Sequence, residues 1–149
     1  MRKIVLAVLI VPSMISCGGK PEMPADFSFV LTRMDIDSYS SSDSTYKYKN
    51  GTDTTTTLVF TEQENKKVFQ ALLSNDFWNI PEHDEKGPRV SDALGTTLEV
   101  HSDGKTKKID VSYACNHDAD LLRRFCNVIT LIDSIIRTKP AYNGISGHS

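Results

Sequence analysis

Apolar and polar residues alternate in some stretches, form helical stripes in others, and do neither elsewhere. Residues 27–36 read as a strand. Phe27, Phe29 and Leu31 alternate with Ser28, Val30 and Thr32, the period-two pattern of a sheet. Val30 and later apolar positions fall on the other parity, which predicts partial cover on both faces. Residues 37–44 are mostly serine and aspartate around Tyr39, a composition that predicts an exposed, mobile loop. Tyr46-Lys47-Tyr48-Lys49, then Asn50-Gly51, then Thr52 onward spells a hairpin, because Asn-Gly accepts the positive φ angles of a type I′ turn. The two tyrosines share one face, and Thr54, Thr56, Leu58 and Phe60 continue one side of the returning strand.

A helix follows. Thr61 and Glu64 have capping-box spacing, and Val68, Phe69, Leu72 and Leu73 form a stripe at helical period that ends near Asn75. Phe77, Trp78 and Ile80 make a short hydrophobic plug before Pro81, and residues 82–93 are a polar loop. Thr96, Leu98, Val100 and Ser102 alternate toward Asp103-Gly104, and Ile109, Val111 and Tyr113 alternate beyond it, which predicts a second hairpin. Residues 118–136 form the longest helix, with Leu121, Phe125, Ile129, Ile132 and Ile136 on one face. Three strands, a helix, two strands and a helix, each helix with a single apolar stripe, predict an α+β two-layer sandwich. Its antiparallel sheet has about five strands, with both helices on one face.

The N-terminus obeys a different logic. Met1-Arg2-Lys3 is basic, and residues 4–11 are an unbroken apolar run. That run falls short of the roughly 20 residues a spanning helix needs but suits an export signal. Met14-Ile15-Ser16-Cys17 resembles a bacterial lipobox, with Met14 where leucine is usual. In that family the signal is cut before the cysteine, which is then lipidated. The resemblance implies a signal over 1–16 and lipidation of Cys17. Composition and length then predict a tether over 17–26, rich in Gly, Pro and charge, one domain over 27–142 and a flexible tail over 143–149. Several acyl chains would hold the domain at a membrane surface.

The 149-residue chain has a formal charge of −2, and loss of Arg2 and Lys3 takes the remainder to about −4. Mild acidity gives no basic footprint for nucleic acid. Beyond Cys17 the cysteines are Cys115 and Cys126. An oxidising compartment permits a bridge between them, and two small buried hydrophobes are the alternative.

No catalytic or metal motif stands out, and no cofactor is called for. There is no HExxH, phosphate-binding glycine loop or paired-cysteine metal spacing. His83 lies in an acidic run, Glu82-His83-Asp84-Glu85. Cys115-Asn116-His117-Asp118 joins a strand to a helix, where Asn116 or Asp118 serves as a cap. Tyr39, Tyr46 and Tyr48 are the candidate contact residues, since exposed tyrosine offers an apolar face and a polar tip.

The layout is similar to that of the small uncharacterised lipoproteins of the Bacteroidota cell envelope. The likeness runs through Met14 to Cys17, Phe69-Gln70-Ala71-Leu72, Asp76-Phe77-Trp78, Gly104-Lys105 and Leu131-Ile132-Asp133. It implies an envelope location and supplies no catalytic residues. The expectation is a non-catalytic module, membrane-attached through Cys17, that binds an envelope protein or a glycan. Two alternatives stay open. One is a hydrolase using His83 or the Cys115/His117 region; the other is an inhibitor that inserts residues 37–44 into an enzyme's cleft.

Overall fold

The computed structural model describes residues 21–33, 36–50, 52–80, 95–111 and 120–145. Six strands form one antiparallel sheet: β1 (Ser28–Arg33), β2 (Asp37–Ser40), β3 (Thr45–Asn50), β4 (Thr52–Thr57), β5 (Thr96–Ser102) and β6 (Lys105–Val111), in the order β4-β3-β2-β1-β5-β6. Three helices accompany it: α1 (Glu62–Ser74), α2 (Asp120–Arg137) and the short α3 (Pro140–Ile145), with a 3-10 turn over Phe77–Asn79. The α+β class and the one-sided layering are as the pattern predicts.

Cross-strand register explains the layering. Tyr46, Tyr39, Leu31, Leu98 and Ile109 lie side by side across five strands, and all five are buried. They join one cluster with Val68 and Leu72 of α1 and with Phe125, Ile129, Ile132 and Ile136 of α2. One sheet face therefore meets both helices. At about 25 cal/mol per Å² of apolar surface buried, this layer dominates the stability of the fold.

The capping box forms. The Thr61 backbone N–H donates to Glu64 Oε2 at 2.7 Å, and the Glu64 backbone N–H donates to Thr61 Oγ1 at 3.2 Å. Asn75 closes the helix as its C-cap. The β5–β6 turn is the expected two-residue type: Asp103 and Gly104 have φ of 54° and 68°, and Ser102 pairs with Lys105.

Several expectations are corrected. Residues 41–44 form the turn to β3, with Ser42 and Asp43 exposed, but residues 37–40 are not an exposed loop, because Asp37–Ser40 pairs on both sides as β2. Tyr39 supplies the reason: its ring stacks on Phe60 at 4.6 Å, while Ser38 and Ser40 fall on the opposite face. β1 is not covered on both faces, since Val30 is exposed. The first hairpin sets Lys49 opposite Asp53, whereas a two-residue Asn-Gly turn would set it opposite Thr52. Burial selects this register, which keeps Thr54, Thr56, Leu58 and Phe60 on the tyrosine side. Residues 143–145 are not tail but the last turn of α3, with Ile145 packed against the core.

Candidate functional site

Among the described residues, three polar assemblies are candidates for a functional role. The first closes the end of the core-facing rows at β1, β2 and β3. Arg33 Nε donates to Asp37 Oδ1 at 2.7 Å and Nη2 to Asp37 Oδ2 at 2.5 Å. Arg33 Nη1 also pairs with Asp133 of α2, and Asp133 accepts from Arg137 Nε at 2.6 Å. Tyr46 donates its hydroxyl to Asp37 Oδ2 at 2.9 Å, and the Tyr142 ring of α3 meets Tyr46 edge-on at 5.7 Å. Burial opposes the charge on Arg33, but the hydrogen bonds and charges of Asp37, then Asp133, outweigh it and keep the guanidinium ionised. Burial, then the Asp37 charge, push the Tyr46 phenol up. Each carboxylate already has cationic partners, so this assembly is a closed structural knot that ties three strands to two helices.

The second assembly fixes the N-terminal segment. Asp26 accepts from the backbone N–H groups of Asp103 and Gly104 at 2.9 and 2.7 Å. Two successive residues with positive φ aim both N–H groups at one point, a nest for an anion. Those two bonds, Gly104 first, hold the Asp26 carboxyl below its ordinary range. His101 Nε2 lies 3.3 Å from Asp26 Oδ2, and His101 Nδ1 lies 2.8 Å from Thr106 Oγ1. Carboxylate, imidazole and hydroxyl thus stand in line. Hydrolysis also needs donors for a developing oxyanion, and the nest's donors are spent on Asp26 itself. The arrangement is a clip. Phe27 adds to it by packing edge-on against Phe69 of α1 at 5.3 Å. The described part of the segment expected as a tether, residues 21–26, therefore lies against the globule.

Two open grooves of about 280 and 320 Å³ flank residues 21–24. Neither is lined by a histidine or a cysteine. Among the described residues no group of three or more His, Cys, Asp or Glu side chains could hold a metal ion. None of the described helices is long and apolar enough to cross a membrane.

The third assembly is the helix-free face of the sheet, the face that none of the described helices covers. One row across it reads Thr55, Lys47, Ser38, Thr32, Thr97 and Asp110; the next reads Thr57, Thr45, Ser40, Val30, Glu99 and Lys108. Short hydroxyl side chains cover it, with lysines toward β3 and β6. Thr97 Oγ1 donates to Asp110 Oδ1 at 2.6 Å. Six strands at about 4.8 Å spacing make it roughly 24 Å wide. No aromatic side chain occupies either row.

That absence corrects the aromatic contact surface. Tyr39 and Tyr46 are each 1% exposed, and Tyr48 packs against the core cluster. They alternate onto the helix side, where a tyrosine ring covers more apolar surface than any neighbour in those strands. The Tyr39 hydroxyl reaches no hydrogen-bond partner; the Phe60 backbone lies close to it without adequate geometry. Cys126 of α2 is disulfide-bonded. Its expected partner Cys115 lies outside the described residues, as do Cys17, His83 and His117. The clip and the knot went unread in the sequence because each joins residues distant along the chain, such as Asp26 with Gly104 and Arg33 with Asp133. The face was readable in the parity opposite the buried residues.

The chain matches no protein-family model and no curated protein sequence.

Proposed function

We propose that this protein is an exported, non-catalytic binding module, anchored to a bacterial envelope membrane through Cys17, that engages a protein partner with the helix-free face of its sheet. One observation carries the reading: among the described residues no helix covers one face of the wide sheet, while helices α1 and α2 close the other. Antiparallel sheets tolerate a solvated face, so this one needs no partner for stability and is free to take one. The face suits a protein better than a glycan. Sugar rings are gripped by stacking their C–H faces on aromatic rings, and both rows of the face lack any.

Export and anchoring rest on the leader and lipobox. The disulfide at Cys126 supports them, because such bonds persist in oxidising compartments. The inhibitor alternative is narrowed to the turn over residues 41–44, since residues 37–40 form a paired strand. The reading is tested by replacing Val30, at the centre of the face, with glutamate. Loss of partner co-isolation with an unchanged melting temperature is the expected result. Retained partner binding would contradict it. For the anchor, Cys17→Ser is expected to abolish lipid labelling and release the protein from the membrane fraction; unchanged labelling and retention would overturn that assignment.

A further inference from the structure

The two edges of the sheet are guarded unequally. An edge strand offers unpaired N–H and C=O groups, and proteins blunt it with lysine, proline or a bulge. β6 carries Lys105, Lys107 and Lys108. β4 reads Thr-Asp-Thr-Thr-Thr-Thr and has no such guard, and its register with β3 runs without a break from Thr45–Thr57 to Asn50–Thr52.

The outward groups of β4 can be assigned. The Leu58 backbone N–H donates to the Ser44 carbonyl at 2.7 Å, continuing the β3–β4 ladder. The Lys49 backbone N–H donates to the Ile36 carbonyl at 2.7 Å, so Lys49 faces β2. In an antiparallel ladder hydrogen-bonded and non-bonded pairs alternate. Thr54 and Thr56 therefore bond to β3, and the backbone groups of Asp53, Thr55 and Thr57 point away from the sheet. Among the described residues no hydrogen bond reaches these groups. α3 packs near β4, but through Tyr142 against Tyr46 on the core side.

We propose that β4 pairs antiparallel with β4 of a second copy of this chain, across a two-fold axis, making one continuous sheet. Outward residues must bond to outward residues, which allows an axis through Thr54, Thr55 or Thr56; only the axis through Thr55 pairs all three outward residues of the strand. Thr55 then faces its own copy and Asp53 faces Thr57. The two aspartates, which carry the only charge on the strand, lie at opposite ends of the contact. Every other facing pair is threonine on threonine, a β-branched pair suited to a sheet surface. The Asp26 clip lies on the β5–β6 turn, at the other side of the sheet and roughly 24 Å from β4, so the N-terminal segment leaves this edge clear. A six-residue strand makes a small interface, and the dimer forms at high concentration.

The test is sedimentation velocity across a concentration series, using the chain as isolated from cells that make it. A monomer–dimer equilibrium is expected. Thr55→Pro deletes one outward N–H and no bond to β3, which an edge strand tolerates; it is expected to weaken association at least tenfold. Thr55→Lys sets like charges face to face on the axis and is expected to do the same without altering backbone preference. Mixing Thr55→Lys with Thr55→Glu chains is expected to restore association as a mixed dimer. A wild-type chain that stays monomeric to millimolar concentration would overturn the proposal. So would a dimer unaffected by both single variants, or one disrupted by Thr55→Lys that the Glu mixture fails to rescue. An edge that pairs only with an added extended peptide would also count against it.

Discussion

The two ends of the sheet are held by different chemistry. At the β5–β6 end, Leu98, Val100, Ile109 and Val111 are buried on one face, a type I′ turn joins the strands, and charged groups stay at the rim. At the β2–β3–β4 end, two tyrosines take the core positions, and Arg33, 19% exposed, is drawn in with Asp37 and Asp133. The first end depends on apolar area, which is lost gradually. The second depends on partners, and a partly buried charge deprived of its partner is far costlier than an apolar side chain trimmed by a methylene.

The sharpest break in that comparison is Arg33→Leu. It leaves Asp37 without a cation, while Asp133 keeps Arg137, and is expected to cost about 3 kcal/mol, read as a shifted urea midpoint. Lys108→Ala at the opposite edge is expected to change stability by less than about 0.5 kcal/mol. Next come the two buried tyrosines, which look equivalent in the sequence. Tyr46→Phe removes a hydrogen bond to a charged group and is expected to cost about 1.5–3 kcal/mol. Tyr39→Phe removes a buried hydroxyl without a partner and is expected to be neutral or stabilising. Equal losses from both in chemical denaturation would refute the account of this end.

A smaller effect concerns acid. Burial alone would raise the Glu64 carboxyl, but the hydrogen bonds from Lys139, at 2.6 Å, and from Thr61 outweigh it and lower it below 4.5. A depressed carboxyl contributes stability that is present above its unfolded value and lost as pH falls through its folded one. Glu64→Gln is therefore expected to flatten the acid side of a melting-temperature profile below about pH 4.5 and to leave its shape near neutrality alone. The smallest effect is local. Asp26→Ala is expected to speed amide exchange at Asp103 and Gly104 with no change in global unfolding, since the clip sits at the surface.

The same contrast sets how much was legible beforehand. Where alternation and turn chemistry agree, as in β5 and β6, residues and register follow from pattern alone. The capping box at Thr61 was equally local. β2 escaped because a four-residue strand with one apolar side chain has too little pattern to outweigh its serines. The first hairpin showed the reverse conflict: Asn-Gly argued for a two-residue turn, and the burial of Leu58 and Phe60 prevailed. Alternation alone puts Tyr46 and Tyr48 on one face, but which face meets the helices depends on Phe60 and α3. The clip and the knot depend on contacts between distant segments, which single-residue chemistry does not announce.

The central claim is that one side of the sheet makes the fold and the other meets the partner. A photoreactive side chain placed at Val30, on the open face, and separately at Lys66, on the outward side of α1, tests it in intact cells. The account predicts a discrete protein adduct from position 30 and none from position 66. An adduct from position 66 alone would contradict it.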